Sequence, residues 1–283
     1  MLPAGYTAAM TRFLSLEALA GLIPDGAHVA IPPDYSFVAM AVTRALIRRK
    51  TRGLRLLGVP TTGLQADLLI GAGCVAEIEA AGVALGEAGL APRFNAAARA
   101  GAIAIKDTTC PAVHAALQAA EKGIPFMALR GILGSDLVAR RSDWRRIDNP
   151  FEGGEAGGDP ILLLPAISPE IALFHSPVAD REGNVWIGRR RELVTMAHAA
   201  RRTFVTVEKV VEESLLASEA SAAGTLPSLY VSMIAEAPRG SWPLGLGDDY
   251  AADGAHLVAY ADAARSEDGF AGYLEEFVLP HVY

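Results

Sequence analysis

Short apolar runs alternate along the chain with stretches in which apolar residues return every three or four positions. His28–Ile31 (HVAI) follows a turn at Pro24-Asp25-Gly26 and reads as a strand. Residues 37–47 then carry helical spacing and end in Arg48-Arg49-Lys50, cations that suit a helix C-terminus. Residues 54–59 form the next strand run, a helix around Leu68-Leu69-Ile70 stops at Gly71 and Gly73, and 75–78 resumes extended structure. Pro92–Ala100 and residues 111–122 open on proline and stop at Gly101 and Gly123, the asymmetry expected of helix starts and ends. Phe126–Leu129 and 161–164 are unbroken apolar runs of strand length, which suit strands covered on both faces. This alternation, with short connections, predicts an α/β fold: an open, mainly parallel sheet flanked by helices. No repeat period and no strong linker is visible. The 152–160 stretch (EGGEAGGDP) reads as a surface loop rather than a boundary, so residues 1–283 are expected to form a single domain.

Composition narrows the function classes. The 283 residues are 51% hydrophobic and 20% charged, enough to bury a sizeable core and unlike a disordered chain. A formal net charge of −7 without long basic runs argues against nucleic acid as the main partner. Arginines gather at 44–55, 140–146 and 189–202; each group is either a solvated helix face or a landing site for a phosphorylated small molecule. No cationic segment precedes an apolar core at the N-terminus, so no secretory signal is expected. Gly, Pro and charges interrupt every apolar stretch before the roughly 18 residues a membrane span needs, so no membrane association is expected. Cys74 and Cys110 lie far apart with no CxxC pair, which fits a reducing cytoplasm.

The segment HSPVADREGNVWIG, 175–188, stops an apolar run for Asp-Arg-Glu-Gly-Asn, and Gly183 and Asn184 are residues that tight turns favour. A helix at 192–200 and a strand at 203–211 follow. Together with MAHAARRTFVTVEKVVE (196–212), this stretch resembles the α subunit of family I coenzyme A transferases, the glutaconate and 3-oxoacid type. There a D-x-x-G-N turn precedes M-A-x-A-A and a V-E-x-I-V strand. ADLLIGAGCV (66–75), GLAPRFNAAARAGAI (89–103), GIPFMALRGILGSDL (123–137), IDNPF (147–151) and YLEEFV (273–278) agree in the same order, so the resemblance covers nearly the whole chain.

The resemblance implies pairing with a homologous β subunit, as αβ or α2β2, with the active site in the cleft between them. It implies a CoA thioester as substrate, a small carboxylic acid as acceptor and no bound cofactor. A glutamate supplied by the β subunit is the implied nucleophile: it attacks the thioester, forms an acyl-enzyme anhydride and takes up CoA before handing it on. This chain's implied part is one wall of the cleft, donors to the thioester oxygen and acyl specificity. Glu152 and Glu182 read as exposed loop carboxylates rather than nucleophiles.

Departures from the family pattern mark the candidate site. Relatives carry paired glycines after the first strand, where bare backbone can donate to an oxyanion. Here Pro32 and Pro33 remove two amides, and Pro33, Asp34, Tyr35 and Ser36 are the expected substrate-binding loop, with the Tyr35 and Ser36 amides as donors at a helix start. Cys110 stands where many relatives have a glutamate, implicated in catalysis in related ring-opening hydrolases. Before Pro111 at a helix N-terminus it is either a small filler or a reactive thiol assisted by His114 one turn on. Arg130 follows the strand run 126–129 and is expected to project from the C-terminal edge of a parallel strand, where α/β proteins bind ligands. It either pairs with Asp136 or Asp148 or grips a substrate oxygen. Gly134 and Ser135 beside it, and Asn184 in the turn, complete the expected substrate contacts.

The remaining histidines, His28, His175, His198, His256 and His281, show no metal-ligand spacing, and no GxGxxG follows a strand, so neither a metal nor a dinucleotide is expected. Ser241-Trp242-Pro243 lies where relatives carry Gly-Ala-His-Pro. Three readings follow: a transferase α subunit, a ring-opening CoA-thioester hydrolase subunit of the same fold, or a non-catalytic partner-binding or acyl-CoA-binding subunit.

Overall fold

A computed structural model describes residues 11–151 and 158–280. The reading of the first ten residues, Glu152 with most of its loop, and His281 lie outside the described residues. After β1 (Arg12–Leu14) and α1 (Leu16–Gly21), the chain lays down β2 (His28–Ile31), α2 (Met40–Arg48), β3 (Leu54–Gly58), α3 (Leu64–Gly71), β4 (Val75–Ala80), α4 (Pro92–Ala100), β5 (Ala104–Asp107) and α5 (Cys110–Glu121). It then makes β6 (Phe126–Leu129), α6 (Leu137–Arg140), β7 (Arg145–Asp148) and β8 (Pro160–Pro165). The second half returns with β9 (Ile171–Asp180), β10 (Val185–Trp186), α7 (Arg191–Ala199), β11 (Arg202–Val211), α8 (Glu219–Ala222), β12 (Thr225–Leu226), β13 (Met233–Glu236), α9 (Gly254–Ala263) and α10 (Glu267–Phe277).

The main sheet runs β1-β13-β11-β9-β2-β3-β4-β5, every neighbouring pair parallel, with β10 and β12 added antiparallel beside β9. Helices cover both faces. Leu46, Leu69, Tyr260 and Phe270 from α2, α3, α9 and α10 pack against one, and Leu117, Leu193 and Met196 from α5 and α7 against the other. The expected open parallel sheet is therefore the body of the fold.

One expectation is corrected. β6 and β8 are strands, but they leave the main sheet and form a three-stranded antiparallel sheet, β6-β8-β7. Its inner face, Leu162 and Leu164 with Trp144, packs on Ala112 and Ala115 of α5. The outer face leaves Phe126 45% and Ile147 40% exposed. An unbroken apolar run is compatible with burial on two faces or on one, and periodicity alone does not decide between them.

Buried polar groups fasten the parts. Arg141, which follows α6 and precedes β7 of the small sheet, reaches Glu79 of β4 and Asp143, each at 2.8 Å, and donates to the Asp107 carbonyl at 3.0 Å. Asp67 of α3 is fully buried; it accepts from the Phe94 amide and from the Tyr260 hydroxyl of α9, each at 2.7 Å. The last helices are thus keyed into the core of the first half.

Candidate active site

β2 ends at Ile31, and the next six residues cross the C-terminal side of the sheet. The Ser36 amide donates to the Pro33 carbonyl at 2.8 Å, closing a turn, and Phe37 takes a left-handed φ of 59° with its ring buried. The Phe37 carbonyl accepts from the His175 amide of β9 at 2.6 Å. Helix α2 therefore begins only at Met40, and the Ser36 amide, expected as an oxyanion donor at a helix start, is already spent. Tyr35 is 74% exposed at the tip.

Three distant segments meet there. The buried Ser36 hydroxyl donates to Glu192 in the first turn of α7. The Tyr35 phenol is held above its usual range by partial burial and by the nearby Glu192 carboxylate, with Cys110 also close enough to act on it. Cys110 is the exposed first residue of α5, whose N-cap Thr109 accepts from the Ala112 amide at 3.3 Å. His114, one turn on, is kept below its usual value by burial against the pull of Glu192, so it stays neutral near pH 7. Sequence reasoning missed Glu192. Its acidic position at a helix start was visible, but nothing local ties it to Ser36, 156 residues earlier.

Asp34 faces the other way along the loop. Its Oδ2 accepts the Leu64 amide at 2.9 Å and so caps α3 from a separate element. A Cβ at Gly63 would lie 2.2 Å from that oxygen and 2.4 Å from the Ala84 carbonyl, so only glycine fits beside the cap. Oδ1 is buried with no hydrogen-bond partner among the described residues. Burial, helped by the Asp67 carboxylate and opposed by the Leu64 amide, raises the carboxyl to about 7.

Asp34 and Tyr35 line an open cleft of about 1370 Å³, shared with Glu87, Trp186, Arg189, Arg190, Arg191, Asp248 and Tyr250. The Arg190 guanidinium lies 3.5 Å from the centre of the Phe37 ring, and burial lowers its proton affinity. Behind Tyr250 sits a satisfied buried network. Glu208 accepts from the Tyr250 hydroxyl at 2.8 Å and from the amides of Arg239 and Gly240 at 2.6 and 3.2 Å, and meets His175 Nε2 at 2.9 Å. Burial alone raises the Glu208 carboxyl, but these bonds outweigh it and hold it below the usual range. His175, buried and also bonded to Thr206 at 2.8 Å, stays below its usual value.

Residues 15–237 match the model of the family described as Coenzyme A transferase. The chain belongs to that family. Among its relatives, the A subunit of 3-oxoadipate CoA-transferase from Pseudomonas knackmussii is 30% identical over 95% of this chain and 94% of its own length. The cholesterol ring-cleaving hydrolase IpdA subunit of Rhodococcus jostii is 29% identical over 84% and 82%. A protein of Archaeoglobus fulgidus is 31% identical over 93% of the chain, which spans 58% of that protein's length. The solved glutaconate coenzyme A-transferase of Acidaminococcus fermentans shares the fold, with a TM-score of 0.86 at 22% identity over 95% of this chain and 89% of its own. Within the coenzyme A transferase family, the chain is of the A-subunit type.

In this coenzyme A transferase chain, the residues singled out from sequence separate into groups. Asp34 and Tyr35 line the cleft, Ser36 and Cys110 flank it through Glu192 and Tyr35, and Pro33 is buried behind the turn. Arg130, Gly134 and Ser135 are not part of its lining. Arg130 follows an antiparallel strand of the small sheet, is 58% exposed on its side chain and pairs with Asp159, not with Asp136 or Asp148. The expected parallel-strand edge does not exist there. Ser135 Oγ accepts the Leu137 amide at 3.2 Å, a local turn bond. Asn184 is almost wholly buried: its amide nitrogen donates to Asp180 Oδ2 at 2.8 Å and its oxygen accepts from the Ser228 amide at 2.9 Å. It braces the turn instead of facing a ligand.

Proposed function

We propose that this chain is the α subunit of an enzyme that moves CoA between an acyl-CoA and a carboxylic acid, with a homologous β subunit supplying the nucleophilic glutamate. The observation that carries the reading is the convergence of the β2 loop and the N-termini of α5 and α7, through Tyr35, Ser36, Glu192 and Cys110, beside one large cleft in a chain of this family. The likeness to the 3-oxoadipate CoA-transferase chain along nearly the whole of both sequences supports it.

In this reading the carboxylate of the β subunit's glutamate attacks the thioester carbonyl, and the C–S bond breaks to give a mixed anhydride and CoA thiolate. The thiolate then attacks the glutamyl carbonyl, releasing the donor acid and leaving glutamyl-CoA. The acceptor carboxylate attacks that thioester, CoA thiolate leaves again, and it is acylated from the new anhydride to free the glutamate. The α chain forms a wall. With Ser36 closed on Pro33, the Tyr35 amide is the one left of the two amides expected as donors to the thioester oxygen. Ser36 fixes Glu192, which sets the negative side of the pocket around Tyr35 and Cys110. No cofactor is required; the CoA thioester is substrate. We place the reaction in the cytoplasm.

Hydrolysis is the second reading. It is favoured by the Pro32-Pro33 loop with its reduced set of amides, by Asp34, which holds a proton near neutrality, and by the likeness to the ring-cleaving hydrolase subunit. Co-expression with the β subunit, then incubation with a panel of acyl-CoAs plus acetate or succinate in oxygen-18 water, separates the two. CoA on the added carboxylate is the expected result. Heavy oxygen in the product acid without CoA on the acceptor establishes hydrolysis, and no turnover of any thioester overturns both.

A further inference from the structure

The cleft contains a cationic feature that the proposed reaction does not use. Arg189, Arg190 and Arg191 all line it, and among the described residues none of the three forms a salt bridge. This is unusual in a chain whose formal net charge is −7. The Arg190 guanidinium carbon lies 3.5 Å from the centre of the Phe37 ring, itself buried on a left-handed backbone, and its Nε is buried with no hydrogen-bond partner among the described residues. The neighbouring carboxylates act on the group only from a distance: Glu192, which accepts from Ser36, and Asp248 both favour the charge on Arg190, and among the described residues neither reaches salt-bridge distance.

The surroundings suit a large, flat anion. Gly188 and Gly247 lie on the same cleft with φ of 59° and 55°, presenting bare backbone beside the arginines, and Trp186 and Tyr250 contribute aromatic walls. Guanidinium forks match phosphate and carboxylate oxygens two at a time, and clustered guanidiniums favour ligands carrying more than one negative charge. At about 1370 Å³ the cleft has room for far more than an acyl group.

We propose that Arg189, Arg190 and Arg191 form an oxyanion subsite of the cleft that holds a multiply charged end of the substrate on this chain. The inference rests on the CoA-thioester reading of the cleft, which supplies two sources of that chemistry: the phosphates of the CoA nucleotide and a free carboxylate on the acyl group. Three arginines beside an aromatic wall match the nucleotide end better.

Binding to the purified 283-residue chain, measured by calorimetry without turnover, tests it. The probes are adenosine 3′,5′-bisphosphate, neutral adenosine and glutarate. The bisphosphate is expected to bind, to weaken as salt rises, and to lose about tenfold or more in R190Q and in the R189Q–R191Q double variant, whereas adenosine binds poorly throughout. Arginine-dependent binding of glutarate instead assigns the subsite to a carboxylate. The double variant changes only exposed side chains, so it keeps the test readable if R190Q disturbs the Phe37 stack. Equal binding of every anion by wild type and variants, or no binding of any, overturns the subsite. Because binding is read without catalysis, arginine-dependent binding in a chain that turns over no thioester with its partner sinks the reaction and leaves the site standing.

Discussion

Asp34 anchors one oxygen on the Leu64 amide and buries the other without a partner among the described residues, so its charge is costly in the folded protein. Its carboxyl is raised from 3.8 to about 7, so between those values the folded chain binds more protons than the unfolded one. Stability from this group is therefore lost as pH rises from about 4 to about 7 and is flat above; the shift corresponds to at most about 4 kcal/mol. Asp34→Asn keeps a carbonyl for Leu64 and removes the titration. We expect its advantage in Tm over wild type to be near zero at pH 4 and largest at pH 8. A difference that does not change with pH would show that Asp34 is ionised throughout. The residue's place in the loop was legible from its neighbours, but its proton was not: that depends first on burial, and then on the balance between the opposing Leu64 amide and the Asp67 carboxylate, brought up by a helix some thirty positions along.

Among the elements, the tightest fit is between the β2 loop and the start of α3. Gly63→Ala drives a methyl into the Asp34 carboxylate and the Ala84 carbonyl, and backbone on one side cannot yield. It is expected to cost about 2–3 kcal/mol or more in chemical denaturation, and more than Ala at Gly101, where a Cβ meets nothing within 4 Å and only the φ of 62° opposes it. Elements with strong local signals were readable in advance. α4 begins on Pro92 and stops at Gly101, β9 opens on the apolar run IALF, and β11 is rich in β-branched residues. β7 (RRID) was not readable, because all four of its residues are exposed and only pairing with β8 makes it a strand. β10 and β12, two residues each, are likewise defined by their partners.

For the whole molecule, the small sheet joins the main one through Arg141, whose side chain is 6% exposed and lies between Glu79 and Asp143. Arg141→Leu leaves Glu79 buried without its counter-charge and is expected to cost about 3–5 kcal/mol. Hydrogen exchange should speed up in β6, β7 and β8 and stay slow in β9 and β11; uniform loss of protection would mean that the two sheets unfold as one unit. The order of the main sheet also has a consequence for synthesis. β1 finds its neighbour in β13, over two hundred residues later, and Asp67 receives its hydroxyl from Tyr260. A chain emerging from the ribosome can build β2 to β5 early, but it must carry an unmatched strand and a half-satisfied buried acid until α9 is out. For that interval the first half presents an open strand edge, the kind of surface on which incomplete chains pair with a stranger.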